Sequence, residues 1–108
     1  MEIFRLHDFP GGWFLGNFEP SLWREPNVEI AFKTYKSGDV EPTHFQRSST
    51  EVTLLVRGKC FLGGQTLSPG DIAVIPPLEA ADFTALEDCE LIAIKCPSLP
   101  QDKFLGEP

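Results

Sequence analysis

The chain has 108 residues, of which 16 are acidic and 9 basic, so its formal net charge is −7. That length fits a single domain, and a hydrophobic content of 42% with 23% charged residues is typical of a globular chain rather than a disordered one. Nucleic acids and anionic membranes attract basic surfaces, so the acidic balance argues against both as partners.

The N-terminal sequence carries acidic residues early and no long apolar run, so we expect no secretory leader. No stretch of the chain approaches the roughly 18 apolar residues that a membrane-spanning helix needs. The three cysteines, Cys60, Cys89 and Cys96, are odd in number and form no C-x-x-C pair, which favours reduced thiols. These features together predict a cytoplasmic protein.

Short runs rich in β-branched and aromatic residues follow one another along the chain, separated by glycines and prolines. The first is residues 28–35, where Val28, Ile30 and Phe32 alternate with other residues at the period of a half-buried strand. Further candidate strands are 51–57, 59–62, 65–67, 71–75, 81–85 and 90–96. The run Ile72–Ile75 is apolar throughout, which predicts a strand covered on both faces. Many short strands with no amphipathic helix indicate an antiparallel sandwich or barrel.

The two ends of the chain differ from this central pattern. Residues 1–27 form an N-terminal arm, and its part 7–27 contains prolines and five aromatic residues, namely Phe9, Trp13, Phe14, Phe18 and Trp23. Such an arm is suited to cover a sheet edge or to contact a second copy of the chain, and we expect a homodimer. Residues 97–108 contain several prolines and predict an irregular C-terminal tail.

Two spaced motifs lie in residues 28–96. The pattern G-x5-H-x-Q-x4-E-x6-G begins at Gly38, and G-x4-P-G-D begins at Gly64 and is followed by a proline pair and Phe83. Both resemble the signatures of the cupins, in which the first reads G-x5-H-x-H, a short gap, E-x6-G. The resemblance implies an all-β, single-domain antiparallel jelly-roll barrel over residues 28–96, with a site in its lumen.

Glycine and proline positions in these motifs fit the turns that such a barrel needs. Gly38 and Gly58 stand at strand ends, where a positive φ is free of a Cβ clash. In the segment 68–71, Pro69 presets φ at the second position and Gly70 suits a positive φ at the third, which predicts a type II turn.

The candidate site residues are His44, Gln46 and Glu51. His44 and Gln46 are two residues apart and share one face of a strand, and Glu51 follows a polar tetrad that predicts a reversal of the chain. The resemblance implies that His44 and Glu51 bind a divalent metal, with Gln46 in place of a second His and Ala81 in place of a third.

The fourth ligand position is therefore open. Asp82 would supply a carboxylate there if a bulge turned it inward, and the other histidine, His7, would have to fold in from the arm. The candidate metals are Mn, Fe, Ni and Zn, and a hard ion such as Mn²⁺ or Mg²⁺ suits the oxygen donors best. The alternative is a metal-free cluster in which the same residues are joined by hydrogen bonds.

A lumen with apolar walls and these polar groups predicts binding of a small polar metabolite, either sugar-like or a carboxylate. Two enzyme classes are alternatives: an isomerase or epimerase, and a metal-dependent oxygenase. His44, Glu51 and Tyr35 are then the candidate catalytic residues. The missing ligands argue against the oxygenase, because redox chemistry needs a tightly held metal. A purely structural role, with the aromatic arm as a docking surface, is the third alternative.

Overall fold

The computed structural model describes residues 1–108, and nearly all of its regular structure is β-strand. The ten strands are Trp13–Leu15 (β1), Glu29–Tyr35 (β2), Val40–Gln46 (β3), Thr50–Arg57 (β4), Cys60–Leu62 (β5), Gln65–Leu67 (β6), Ile72–Ile75 (β7), Ala81–Ala85 (β8), Cys89–Cys96 (β9) and Lys103–Leu105 (β10). Two single 3₁₀ turns, Leu6–Asp8 and Pro10–Gly12, precede β1. None of the helical segments has the length and apolar character required to span a lipid bilayer.

The strands form two five-stranded sheets. Sheet I has the order β1-β2-β9-β4-β7, and sheet II has the order β10-β3-β8-β5-β6. Every ladder in both sheets is antiparallel, and the chain crosses repeatedly from one sheet to the other. This confirms the predicted all-β antiparallel jelly roll.

One end of the space between the sheets is a packed apolar core. Its buried members are Ala31, Leu55, Cys60, Leu67, Phe83, Ala85, Cys89, Leu91 and Ala93. All three cysteines are unpaired, and Cys96 is exposed. Burial in this core raises the pKa of the Cys60 thiol to about 11.

In strand β2 the buried face is the less apolar of its two faces. The strand itself is confirmed, but Glu29 and Ala31 are buried whereas Ile30 and Phe32 are only half-buried. The interior-facing side of sheet I is thus partly polar, and its outer side is apolar.

Two turns depend on glycine in the left-handed region. Asp71 N–H donates to the Ser68 carbonyl at 2.9 Å, and Gly70 has φ of 93°, which confirms the predicted type II turn. Gly58 has φ of 90°, and a Cβ there would collide with the backbone of Asp88.

The arm and the tail both contribute edge strands. Strand β1 pairs with β2, and β10 pairs with β3 along residues 44–46. The expectation of an irregular tail is therefore wrong for Lys103–Leu105. A three-residue strand has no periodicity of its own to detect, and this one exists because β3 offers a free edge.

Candidate functional site

Strands β3 and β4 bring His44, Gln46 and Glu51 together, as the strand pleat predicts. His44 and Gln46 are both buried, with exposed fractions of 8% and 2%. Glu51 lies on β4 with its carboxylate Oε2 3.8 Å from His44 Nε2. We call these three residues the polar cluster.

The reversal between the two strands is held by the tail. The Asp102 carboxylate accepts hydrogen bonds from the backbone N–H groups of Arg47, Ser48 and Ser49, at 3.2, 2.8 and 2.9 Å. Burial opposes ionisation of Asp102, but these three donors outweigh it and lower its pKa. The tail thus sets the register of the turn that carries Gln46 and Glu51.

The His44 ring has a defined orientation. Its Nδ1 lies 3.1 Å from the Pro42 carbonyl oxygen, and a carbonyl can only accept, so Nδ1 carries a proton. The other ring nitrogen, Nε2, faces the Glu51 carboxylate. Burial tends to raise the pKa of Glu51, but His44, the Lys95 ammonium and the Gln46 amide outweigh it and hold the pKa below its ordinary value. At 3.8 Å the two groups are too far apart for a direct hydrogen bond, so a polar group placed between them could bond to both.

Gln46 is the least satisfied polar residue of the site. Both its amide nitrogen and its amide oxygen are buried without a hydrogen-bond partner. A buried amide without partners costs about 1–3 kcal/mol of folding free energy. The amide nevertheless lies close enough to Glu51 to help lower the pKa of that carboxyl, so its unmet hydrogen bonding is a matter of poor geometry rather than of isolation.

A cavity of about 370 Å³ opens beside His44 and Glu51, within the size range of small-molecule sites. Most of its polar lining residues are charged, and these are Glu19, Glu29, Lys33, Glu41, Glu51, Lys95 and Lys103. Trp13 and Phe18 also line it, so the aromatic arm forms part of its wall. Gln46 does not reach the open cavity surface.

Two lysines lie near the face of Trp13 inside this cavity. Lys95 Nζ is 5.1 Å from the ring centroid and Lys33 Nζ is 5.8 Å from it, both within cation–π range. Lys33 also pairs with Glu41 at 3.7 Å, whereas Lys95 has no carboxylate oxygen within 4.0 Å. Lys95 therefore lies over an aromatic ring, and its charge also acts on Glu29 and Glu51, its register partners on β2 and β4.

Glu29 lies on the same sheet, opposite Lys95 in the β2–β9 register. Its carboxylate is 4% exposed and accepts a hydrogen bond from Ser98 Oγ at 3.2 Å. Burial raises the pKa of Glu29, although Lys95 opposes the shift. This end of the cavity therefore carries charges that are incompletely neutralised.

Tyr35, a candidate catalytic residue, lines the floor of the same cavity. Its ring packs against Phe83 with centroids 4.5 Å apart. Burial, and then the nearby Glu41 carboxylate, raise the pKa of the Tyr35 hydroxyl well above its ordinary value. The hydroxyl is therefore a protonated donor at neutral pH.

The structure brings together only some of the expected metal donors. Ala81 pairs with His44 in the sheet and offers no donor, and Asp82 points away from the buried face of β8 and does not line the cavity. His7 is exposed on the N-terminal segment. Nowhere do three or more His, Cys, Asp or Glu side chains meet in a way that could hold a metal.

The polar cluster therefore offers one imidazole, one carboxylate and one amide. Protein sites for catalytic zinc supply three protein ligands, and those for Ca²⁺ or Mn²⁺ rely on several carboxylate or imidazole donors. The donor set of this chain does not fit a resident divalent metal.

Among the lining residues that the sequence did not predict are Trp13, Glu29, Lys33, Glu41 and Lys95. One signal was available: Lys95 is a charge at an inward position of a strand that is otherwise apolar, and Lys33 shares its face with buried Ala31. The contribution of Trp13 had no such signal, because the arm has no strand period.

Comparison with known proteins gives a fold rather than a close relative, and no family model matches the sequence. The chain is similar to the XylDLEGF operon transcriptional activator 3 of Pseudomonas putida, with 38% identity over 58 residues. That match covers 50% of this chain and 18% of the activator, so the chain spans less than a fifth of that relative.

Among solved structures, the chain is similar to KdgF from Halomonas sp., with 26% identity, a TM-score of 0.63 and coverage of 68% of this chain and 73% of that one. It is also similar to an uncharacterized conserved protein with a double-stranded β-helix domain from Klebsiella pneumoniae, with 14% identity, a TM-score of 0.73 and coverage of 98% and 92%. An RmlC-like cupin from Shewanella frigidimarina matches with 16% identity, a TM-score of 0.63 and coverage of 69% and 70%.

Proposed function

We propose, from the premise that this chain is a cupin-type domain, that its lumen binds a small polar metabolite. The observation that carries the proposal is the buried polar cluster beside the 370 Å³ cavity. His44 Nε2 lies 3.8 Å from the Glu51 carboxylate, too far for a direct hydrogen bond, and both residues line the cavity. A ligand with hydroxyl groups can form hydrogen bonds to both of them.

One cation of the cavity, Lys95, suits a ligand that also carries a carboxylate. Lys95 has no carboxylate within 4.0 Å and lies over the Trp13 ring, so an anionic group can approach it from the cavity. The Trp13 face itself suits the C–H face of a sugar ring or a flat apolar group. Hydroxyls at the polar cluster and a carboxylate at Lys95 together describe a sugar acid or a similar hydroxy-carboxylate.

The simplest function for this site is to bind a ligand without catalysing a reaction. The donor set does not fit a resident metal, which weakens the oxygenase alternative. The relative with the matching 58 residues is named as a transcriptional activator rather than as an enzyme, and the match covers 18% of it. We therefore propose a binding domain.

An isomerase or epimerase is the second candidate, and one observation favours it. The His44 imidazole and the protonated Tyr35 hydroxyl both line one cavity. A base and an acid on two sides of a bound carbon can remove a proton from it and return one. Glu51 would stabilise the imidazolium that forms when His44 takes the proton.

The test is a titration by calorimetry with D-glucuronate, D-gluconate, D-glucose and benzoate, using protein treated with a chelator. We expect the two sugar acids to bind at least about 10-fold more tightly than D-glucose or benzoate, since each of the latter lacks one set of contacts. His44→Ala and Lys95→Ala should each weaken binding of the sugar acids, and Leu105→Ala, at a residue 71% exposed on β10, is the control.

Two results would overturn the binding proposal: no affinity for any of the four probes, or affinity that survives both the His44 and the Lys95 substitution. The isomerase alternative is tested on the same samples. Incubation of the bound sugar acid in D₂O should then replace a carbon-bound proton with deuterium, and this exchange should stop in His44→Ala.

Metal content is a separate measurement. Protein purified without a metal-affinity step should contain far less than one divalent metal per chain, because only one imidazole and one carboxylate are available. Addition of Mn²⁺, Fe²⁺, Ni²⁺ or Zn²⁺ should leave the melting temperature unchanged. A stoichiometric metal that is lost in His44→Ala would contradict this prediction.

A further inference from the structure

The outer face of sheet I is apolar across four adjacent strands. Outward side chains of β2, β9, β4 and β7 lie side by side in two rows because the ladders place them in register. The first row is Ile30, Ile94, Val52 and Val74, and the second is Phe32, Ile92, Leu54 and Ile72. We call these eight residues the outer patch.

The outer patch is not covered by the chain itself. Ile72 and Val74 on the edge strand β7 are each 62% exposed, and the other six residues are half-buried. An antiparallel sheet with one face in water ordinarily alternates between apolar and polar residues. The apolar sequence of β7 predicts that both faces of this strand are covered. In the single chain only the inward face is covered.

The N-terminal segment does not supply the cover. Its apolar residues Ile3, Phe4 and Leu6 are themselves exposed, with exposed fractions of 71%, 51% and 44%. The aromatic residues Trp13 and Phe18 line the cavity instead. Another molecule is therefore needed to cover the outer patch.

The size of the patch fits the centre of a dimer interface. Four strands spaced about 4.8 Å apart and two rows about 7 Å apart, with the widths of their side chains, span roughly 300 Å² in projection. Stable interfaces bury about 800 Å² on each partner around an apolar centre with a polar rim. Val56 extends the apolar part of the same face, and Thr34, Arg57 and Glu90 supply such a rim.

We propose that a second copy of this chain covers the outer patch, with the two sheets packed face to face about a two-fold axis. The patch has no charged residue, so its rows can meet their own symmetry mates without burying an unpaired charge. A chain of net charge −7 can approach itself best through an uncharged surface. At the rim, Arg57 and Glu90 pair within one chain at 2.9 Å and neutralise each other.

This interface differs from the one that the sequence suggests, in which the aromatic arm contacts the second copy. It also leaves the ligand site independent. Residues of the outer patch alternate along each strand with inward residues such as Glu51 and Lys95, so the two surfaces lie on opposite faces of one sheet. A change on the outer patch therefore alters assembly without removing a cavity side chain.

The experiment is sedimentation velocity on the full chain over a concentration series up to about 100 µM. We expect a species of twice the 12.0 kDa chain mass. Val74→Glu should raise the dissociation constant by at least about 100-fold, because the two-fold axis places two unpaired carboxylates in an apolar interface. Val40→Glu is the matched control, since Val40 is 66% exposed on sheet II.

Near-ultraviolet circular dichroism establishes that each variant is folded, and Ile72→Glu provides a second test on the same strand. A monomeric wild-type chain at every concentration would overturn the proposal and would leave a different partner to cover the patch. A dimer that persists in both Val74→Glu and Ile72→Glu would also overturn it, because the interface would then lie elsewhere.

Discussion

The two ends of the barrel interior are built from the same strands but have opposite character. On β4, Glu51 lies at the open end and Leu55 at the packed end. On β9, Lys95 lies at the open end and Cys89 at the packed end. The packed end buries its side chains completely, with Leu55 at 0% exposed, whereas the open end lines the 370 Å³ cavity with charges.

Along each strand, the packed end therefore contributes to stability and the open end to ligand recognition. The apolar end gains folding free energy from burial, and the open end loses some of it by burying Glu29 and an unpartnered Gln46. Polar groups left unsatisfied in a folded chain are commonly those that a ligand engages. Substitutions at the two ends should therefore have effects of opposite sign on stability.

The largest effect is expected at the packed end. Leu55→Ala removes a fully buried side chain and should lower the free energy of unfolding by about 3 kcal/mol, from lost burial and the cavity that remains. Leu105→Ala, the same change at a residue 71% exposed, should alter it by less than about 0.5 kcal/mol. Denaturant titrations of both variants measure the difference. Equal losses of stability in the two variants would mean that Leu55 is packed no more tightly than the exposed Leu105.

A smaller loss is expected where the tail holds the site. Asp102→Ala leaves the N–H groups of residues 47–49 without their acceptor and should cost about 2 kcal/mol. Asp102→Asn keeps one side-chain oxygen as acceptor and should recover part of this. Asp71→Ala, which removes a single exposed hydrogen bond to Ser68, is the comparison. A cost no larger than that of Asp71→Ala would show that the tail does not hold the turn.

At the open end a substitution should increase stability. Gln46→Met keeps the size of the side chain and removes two unpartnered polar atoms, so the free energy of unfolding should rise by about 1 kcal/mol. That corresponds to a melting temperature about 4–8 °C higher for a chain of this size. Gln65→Met on exposed β6 is the control and should change little. A loss of stability in Gln46→Met would indicate that the amide has a partner in the folded chain.

The smallest effect concerns pH. Glu51 and Asp102 have folded pKa values below their ordinary ones, so they stabilise the fold above about pH 4.5, and this is lost as the pH falls through their folded values. Glu29 has a raised pKa, so its ionisation opposes folding as the pH rises above about 4.5.

Glu29→Gln should therefore be more stable than the wild type at pH 7 and equal to it at pH 4 and below. Unfolding titrations at both pH values measure this difference. Asp102→Asn should show the reverse, with its deficit largest at pH 7. A stability difference for Glu29→Gln that does not depend on pH would contradict the assignment of a buried, charged carboxylate.

Much of the polar cluster could be predicted from sequence, because its geometry is local. His44 and Gln46 share a face through the two-residue period of a strand, and Glu51 follows one short reversal. The type II turn at Gly70 was predictable for the same reason, since Pro and Gly restrict φ at their own positions. The lining by Trp13 and Lys95 was not, because these residues are far apart in the chain and meet only across paired strands.

The sequence by itself determined where seven of the ten strands run, where the chain turns between them and that two metal-ligand positions are vacant, since pleat, glycine and proline act over a few residues. The candidate strands did not include β1, β3 or β10. Only the tertiary structure decided which face of β2 points inward, and that face is the less apolar one. A strand with apolar residues on both sides leaves this choice open, and it is settled by the pairing of distant segments, which also gave the tail its edge strand.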